Sequence, residues 1–340
     1  MTALFRLLIL IVFALNLQAK TVTDADGHTV TLPDTTDRVF GSSPPMNYLI
    51  YALNPEKMIG LNFKAKNPNN NADEKLLGKY FVSLPVIGSF HGGGQSINLE
   101  TLIAYKPQLV LVWEDDMMVQ TVRREIEKIH VPTIMIPFRK VDDMPKAFRL
   151  AGEAIGETKR AETLAKYSEK IIRDVQTKVA KAKPTRYYYA EGVDGLSTEC
   201  DTSFHVEALN FAGGENVHKC QQSGLLGLEK ISFETLLTYN PDVIVVQNRA
   251  VYNDLVSDPM WQNLRAVKTG RIHLVPTTPF NWIDRPPSFM RVIGIQWLAT
   301  LFHPKEYAID LNRQVQEFYD LFFHVKLTNQ QTQKLLGVNP

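Results

Sequence analysis

Apolar and polar positions along the chain fall into two blocks with one rhythm. Residues 98–114 read NLETLIAYKPQLVLVWE, with Leu99, Leu102 and Ile103 spaced three and four apart. Pro107 interrupts this pattern, and the continuous apolar run Leu109–Val112 follows. Residues 232–248, SFETLLTYNPDVIVVQN, repeat the arrangement with Phe233, Leu236 and Leu237, then Pro241, then Val243–Val246. Spacing of three and four predicts a helix with one buried face. Asn98 and Ser232 are residue types that cap helix N-termini, and each proline ends its helix. Apolar runs rich in branched side chains predict strands covered on both faces, as in a parallel sheet between helices. Glu100, Thr101, Leu102, Tyr105, Pro107 and Val112 are identical to their aligned partners, Glu234, Thr235, Leu236, Tyr239, Pro241 and Val246.

Further strands are predicted at Arg38–Ser42 and His130–Pro137 in the first block, and at Arg186–Ala190 and Gly270–Pro276 in the second. Between the blocks, Glu157–Lys181 contains neither glycine nor proline. A helix of about 25 residues there is about 38 Å long. Gly152 and Gly156 argue against its extension back to Asp142, and Pro184 ends it. The expected fold is α/β: two similar αβ sandwich lobes with mainly parallel sheets. The N-terminal lobe spans 20–141, a connecting segment with the long backbone helix spans 142–183, and the C-terminal lobe spans 184–340. A helix as sole connector would hold the lobes at a nearly fixed separation.

One apolar run does not fit this rhythm. Leu7–Leu15 follows Arg6 and leads to Ala19, and it is too short to span a bilayer. A basic start, an apolar run and a terminal small residue predict a secretory signal peptide over 1–19. No cysteine lies near the cut, so no lipobox is expected, and the mature chain should be soluble in the periplasm. In an oxidising compartment Cys200 and Cys220 are expected to form a disulfide. Two buried thiols or a thiolate metal pair are the alternatives.

Charge narrows the partners. The chain has 37 basic and 36 acidic residues, a net charge of +1, so the large basic excess of a nucleic-acid binder is missing. Ligands of open parallel sheets bind beyond the carboxyl ends of the strands. Applied to both lobes, this rule gathers Trp113, Glu114 and Arg139 from the first with Glu191, Asp194, Thr198, Glu199, Asn248, Trp282 and Arg285 from the second. Aromatic walls with a few placed polar groups suit a bulky small molecule. Carboxylates favour hard cations and arginines favour anionic groups, so the mixture suits a metal chelate. The eight histidines are scattered, and His91, before three glycines, is the candidate metal ligand. His91–Gly94 superficially matches an oxyanion motif, yet no GxSxG elbow occurs, so a secreted hydrolase using His91 and Ser42 is a remote alternative.

Several segments resemble the periplasmic solute-binding proteins of ABC importers for siderophores, haem and cobalamin. They are Asp26–Pro33, Arg38–Phe40, Asn98–Glu100, Lys106–Val110 and Ala212–Val217. Tyr189–His205 and Thr278–Met290 look most like the CeuE-like branch, linked to iron- and nickel-chelate uptake. The resemblance implies a ligand between two lobes, small closure on binding, no permanent cofactor and no catalysis. It also implies a monomer whose partner is an ABC importer permease in the inner membrane. Members often dock onto the permease through one glutamate per lobe. The first should fall near Asn47–Tyr48, where no acid stands, and Glu207 is the candidate for the second. The expected cargo is an iron–siderophore or nickel–small-ligand complex, with molybdate or tungstate as the alternative.

Overall fold

A computed structural model describes residues 19–63, 71–90, 97–114, 119–222 and 227–337. The expected signal segment and His91 lie outside these residues. The first strands, β1 (Lys20–Thr23) and β2 (Thr29–Leu32), pair antiparallel around a turn at Gly27. The N-terminal lobe is built on a parallel sheet of β3 (Val39–Gly41), β4 (Leu109–Trp113) and β5 (Thr133–Ile136), in that order. In the C-terminal lobe, β6 (Thr185–Ala190) precedes the short β7 (Ser197–Thr198), β8 (Gly214–Asn216) and β9 (Glu229–Lys230). With β10 (Val243–Val246) and β11 (Ile272–Leu274), it forms a parallel sheet in the order β11-β10-β6-β8. β7 and β9 form a separate antiparallel pair.

Every residue of β4, β5 and β10 is buried, which is why these strands carry no polar alternation. The two repeat helices are capped as their sequences predict. Asn98 Oδ1 accepts the Glu100 amide at 2.8 Å, and Ser232 Oγ accepts the Thr235 amide at 3.2 Å. Their buried faces are narrower than expected: Leu102 and Leu236 are buried, whereas Ile103 is 48% and Leu237 39% exposed. A helix of six or seven residues presents at most about two turns to its sheet, so Leu102 alone anchors the first and Phe233 with Leu236 the second.

The connecting segment is two helices, Met144–Ile155 and Thr158–Val179, separated at Gly156, whose φ of 80° closes the first. Gly152 does not interrupt it. A Cβ there would stand 2.2 Å from the Ala161 Cβ, so the glycine lets the two helices touch. These helices are not the sole tie between lobes. The C-terminal helix Leu311–Phe323 returns to the N-terminal lobe, where Phe323 meets Tyr51 at 5.8 Å between ring centroids. Arg160 donates to the carbonyls of both Ala52 and Leu321. One hydrophobic core therefore runs through both lobes.

Candidate functional site

The carboxyl ends of the two sheets converge. Phe280 of the loop after β11 stacks on Tyr48 of the N-terminal lobe, with centroids 3.8 Å apart and planes 18° off parallel. Trp113, ending β4, meets Phe204 edge-on at 6.1 Å. Along this seam, the loops after β6 and β11 bring three of the expected residues into one cluster. Arg285 Nε donates to Glu191 Oε1 at 2.5 Å, and Arg285 Nη2 donates to Glu199 Oε1. Both glutamate side chains are 0% exposed and the Arg285 side chain is 21% exposed, so one guanidinium bridges two buried carboxylates.

Local structure explains the arrangement. Gly192 and Gly195, both at positive φ, turn the chain after β6 so that Ser197 pairs back with Glu191. This places Glu191, directly after β6, near Glu199, directly after β7. Glu199 is steadied further by the Ser203 hydroxyl at 2.8 Å and the Leu228 amide at 3.1 Å. The Cys200–Cys220 disulfide fastens the next residue. Arg285 has a φ of 56°, a region that costs a side-chain-bearing residue about 1–3 kcal/mol, and its two ion pairs hold it there. Burial pushes the Glu191 carboxyl up to about 8, although Arg285 opposes the shift. Glu191 Oε2, the Tyr189 hydroxyl and the Thr198 hydroxyl are buried without a hydrogen-bond partner. The pairing of β7 with β9 places Thr198 opposite Glu229.

A second buried network lies directly behind the first. Asp284 bonds His205 Nδ1 through one oxygen and Arg291 Nη2 through the other, the latter at 3.4 Å. The Arg291 guanidinium, 1% exposed, also donates to the carbonyls of Ile283, Arg139 and Phe204 at 2.9, 2.8 and 3.2 Å. Glu207 accepts the Val141 amide at 3.1 Å and lies 3.8 Å from Arg291 Nη1. The acid expected to dock on a permease is thus engaged in a bond between lobes, and burial raises its carboxyl.

Other expected residues sit elsewhere. Asp194 occupies the exposed tip of the turn and pairs with Lys230 at 2.5 Å, away from Arg285, because the turn that joins Glu191 to Glu199 expels its own apex. Asn248 Oδ1 accepts the Ala250 amide at 2.8 Å and caps the helix Arg249–Ser257, so its side chain is committed to that cap. Trp282, expected against a ligand, is 0% exposed and packs in the core. Glu114 and Arg139 are exposed at the ends of β4 and β5, and Trp113 is 7% exposed beside them.

Ser288 Oγ accepts the Met290 amide at 3.2 Å, and Asp284 joins the second network. Asn47, where a docking acid was sought, is 2% exposed. It accepts the Gly41 amide at 2.8 Å and donates to Asn62 at 2.7 Å. Ser42, considered as a nucleophile, is likewise 2% exposed. Among the described residues, Cys200, Cys220 and His218 bring potential metal-ligand atoms within 4.8 Å, but the two sulfurs are bonded to each other. Arg291 was not singled out by sequence reasoning. For Arg291 a signal existed, an arginine set in the apolar run Phe289–Leu298.

Two αβ lobes with parallel sheets whose carboxyl ends face a shared polar seam define a bilobal ligand-binding protein. The chain belongs to the periplasmic binding protein family, whose model matches residues 64–278. It is 37% identical to an ABC transporter solute binding protein of Sulfurospirillum deleyianum, with a TM-score of 0.88 over 93% of this chain and 99% of that one. It is 25% identical over 334 residues to the molybdate-binding protein MolA of Haemophilus influenzae, covering 89% of this chain and 91% of that protein. The nickel–histidine complex of Helicobacter pylori CeuE shares the fold, with a TM-score of 0.70 at 14% identity over 94% of this chain and 99% of that one. The protein is a periplasmic substrate-binding protein of the ABC importer type.

Proposed function

We propose that this protein captures a metal chelate in the interlobe seam through the chelate's anionic groups and delivers it to its importer, acting by binding alone. The carrying observation is the Arg285 guanidinium, fixed by Glu191 and Glu199 at a partly exposed position on a strained backbone. A donor fork held rigid before binding loses little entropy when a carboxylate or similar group docks. The two glutamates hold the arginine and so do not act as metal donors. Arg139 and Glu114 of the other lobe supply the opposing contacts, and Trp113 lends an aromatic edge. Export through residues 1–19 with cleavage after Ala19, and action as a monomer, belong to the same proposal.

A second reading is molybdate or tungstate as cargo. It is favoured because Glu199 is paired with Arg285, Glu191 is held protonated at neutral pH by burial and Asp194 is turned away, and because MolA, a relative, is a molybdate-binding protein. Titration calorimetry against iron(III)–citrate, nickel(II)–histidine, molybdate and tungstate separates the two. The proposal expects saturable binding of a chelate, weakened in Arg285→Lys. Binding of the oxyanions alone selects the second reading, and binding of none, with intact folding, refutes both.

A further inference from the structure

We propose that Arg291 is a positioning residue that registers the two arginines assigned to the cargo, Arg139 in one lobe and Arg285 in the other. Its planar fork reaches three carbonyls from three separate segments: Arg139 after β5, Phe204 after β6, and Ile283 in the loop after β11. Each segment carries a group of the seam. Arg139 is itself one, Phe204 packs on Trp113, and Ile283 stands two residues before Arg285. Asp284, between Ile283 and Arg285, receives the fourth bond and passes its other oxygen to His205. Arg291 begins the helix Arg291–Phe302, whose residues are almost all buried, so its own base is fixed. One rigid side chain therefore ties the N-terminal lobe's ligand loop to both ligand loops of the other lobe. A lysine offers three donors from one point and cannot span these carbonyls as a fork can.

The proposal rests on the seam as cargo site only for its binding arm. Its other arm needs no ligand. Spin labels at Lys128→Cys and Asp254→Cys, in the full chain with its native disulfide, report the separation of the lobes by pulsed dipolar spectroscopy. Arg291→Lys and Arg291→Met are expected to broaden or shift a narrow wild-type distribution, while the circular dichroism of each variant stays native. In the binding arm, calorimetry uses molybdate or nickel(II)–histidine, whichever the wild type binds. Arg291→Lys should lower affinity about tenfold or more. In the Arg139→Ala background the same change should cost less than it does in the wild type, because one of the two arginines it positions is gone. An unchanged distance distribution overturns the proposal, as does full additivity of the two affinity losses. If no probe binds the wild type, the cargo reading fails and the distance measurement alone decides registration.

Discussion

Removing Arg285 should destabilise the protein in a way that depends steeply on pH. In Arg285→Met the length of the side chain is nearly kept while its charge is lost, and two carboxylates with fully buried side chains lose a shared counter-charge. Breaking a buried ion pair from one side costs about 3–5 kcal/mol. Glu199 keeps the Ser203 hydroxyl and the Leu228 amide, so the lower end, about 3 kcal/mol, applies. At about 1.4 °C per kcal/mol for a chain of this length, Tm falls by about 4 °C at pH ~10. Without Arg285 the Glu191 carboxyl is pushed up further still. The penalty is absent well below about 8, where that carboxyl is protonated in both folded proteins, and grows as pH rises above that value. Differential scanning calorimetry should therefore show a gap of under about 2 °C near pH 5. Adding Glu191→Gln and Glu199→Gln should restore most of the loss at high pH. An equal gap at both pH values, or none at either, would refute the reasoning.

Three further outcomes follow from the same cluster. Glu191, raised to about 8 by burial, ionises as pH climbs through that value and adds a negative charge beside Arg285. Affinity for an anionic cargo should fall about tenfold between pH ~7 and ~9, and Glu191→Gln should flatten the profile measured by calorimetry. Replacing both Cys200 and Cys220 with serine opens the link between residues 20 apart; the expected loss of about 3 kcal/mol is read by urea denaturation. Gly227→Ala places a Cβ 2.0 Å from Glu199 Oε2 at a φ of 62°. Displacing that carboxylate should cost about 1–3 kcal/mol in urea and weaken cargo binding as well.

The parts of the fold legible in sequence were those in which burial leaves a one-dimensional trace. β4, β5 and β10 are covered on both faces, so their runs are continuous, and the capped repeat helices carry Asn98 and Ser232. β8 was invisible because Gly214–Asn216 has no apolar run; it pairs only at the sheet edge with β6. Ile103 and Leu237 show that spacing marks a face without saying how much of it is covered.

Loop position gathered Glu191, Glu199 and Arg285, which the structure brings into hydrogen-bond contact. Composition could not say that Asp194 stands at the apex between flanking glycines while Glu191 and Glu199 stand at its paired base. Asn248 was readable as a cap, since an asparagine directly before a helical stretch satisfies its first amides. Arg291 could not be assigned, because its partners are carbonyls up to 152 residues away, and main-chain acceptors carry no residue-type signature.

The account stands on an anionic, metal-bearing cargo held at Arg285. Its most direct test is native mass spectrometry with metal analysis of the protein isolated from the periplasm in which it is made. The account predicts one small molecule per chain, carrying a metal and anionic groups, retained by the wild type and lost in Arg285→Met under conditions where that variant is folded. A retained molecule that is cationic or metal-free, or equal retention by the variant, would contradict it.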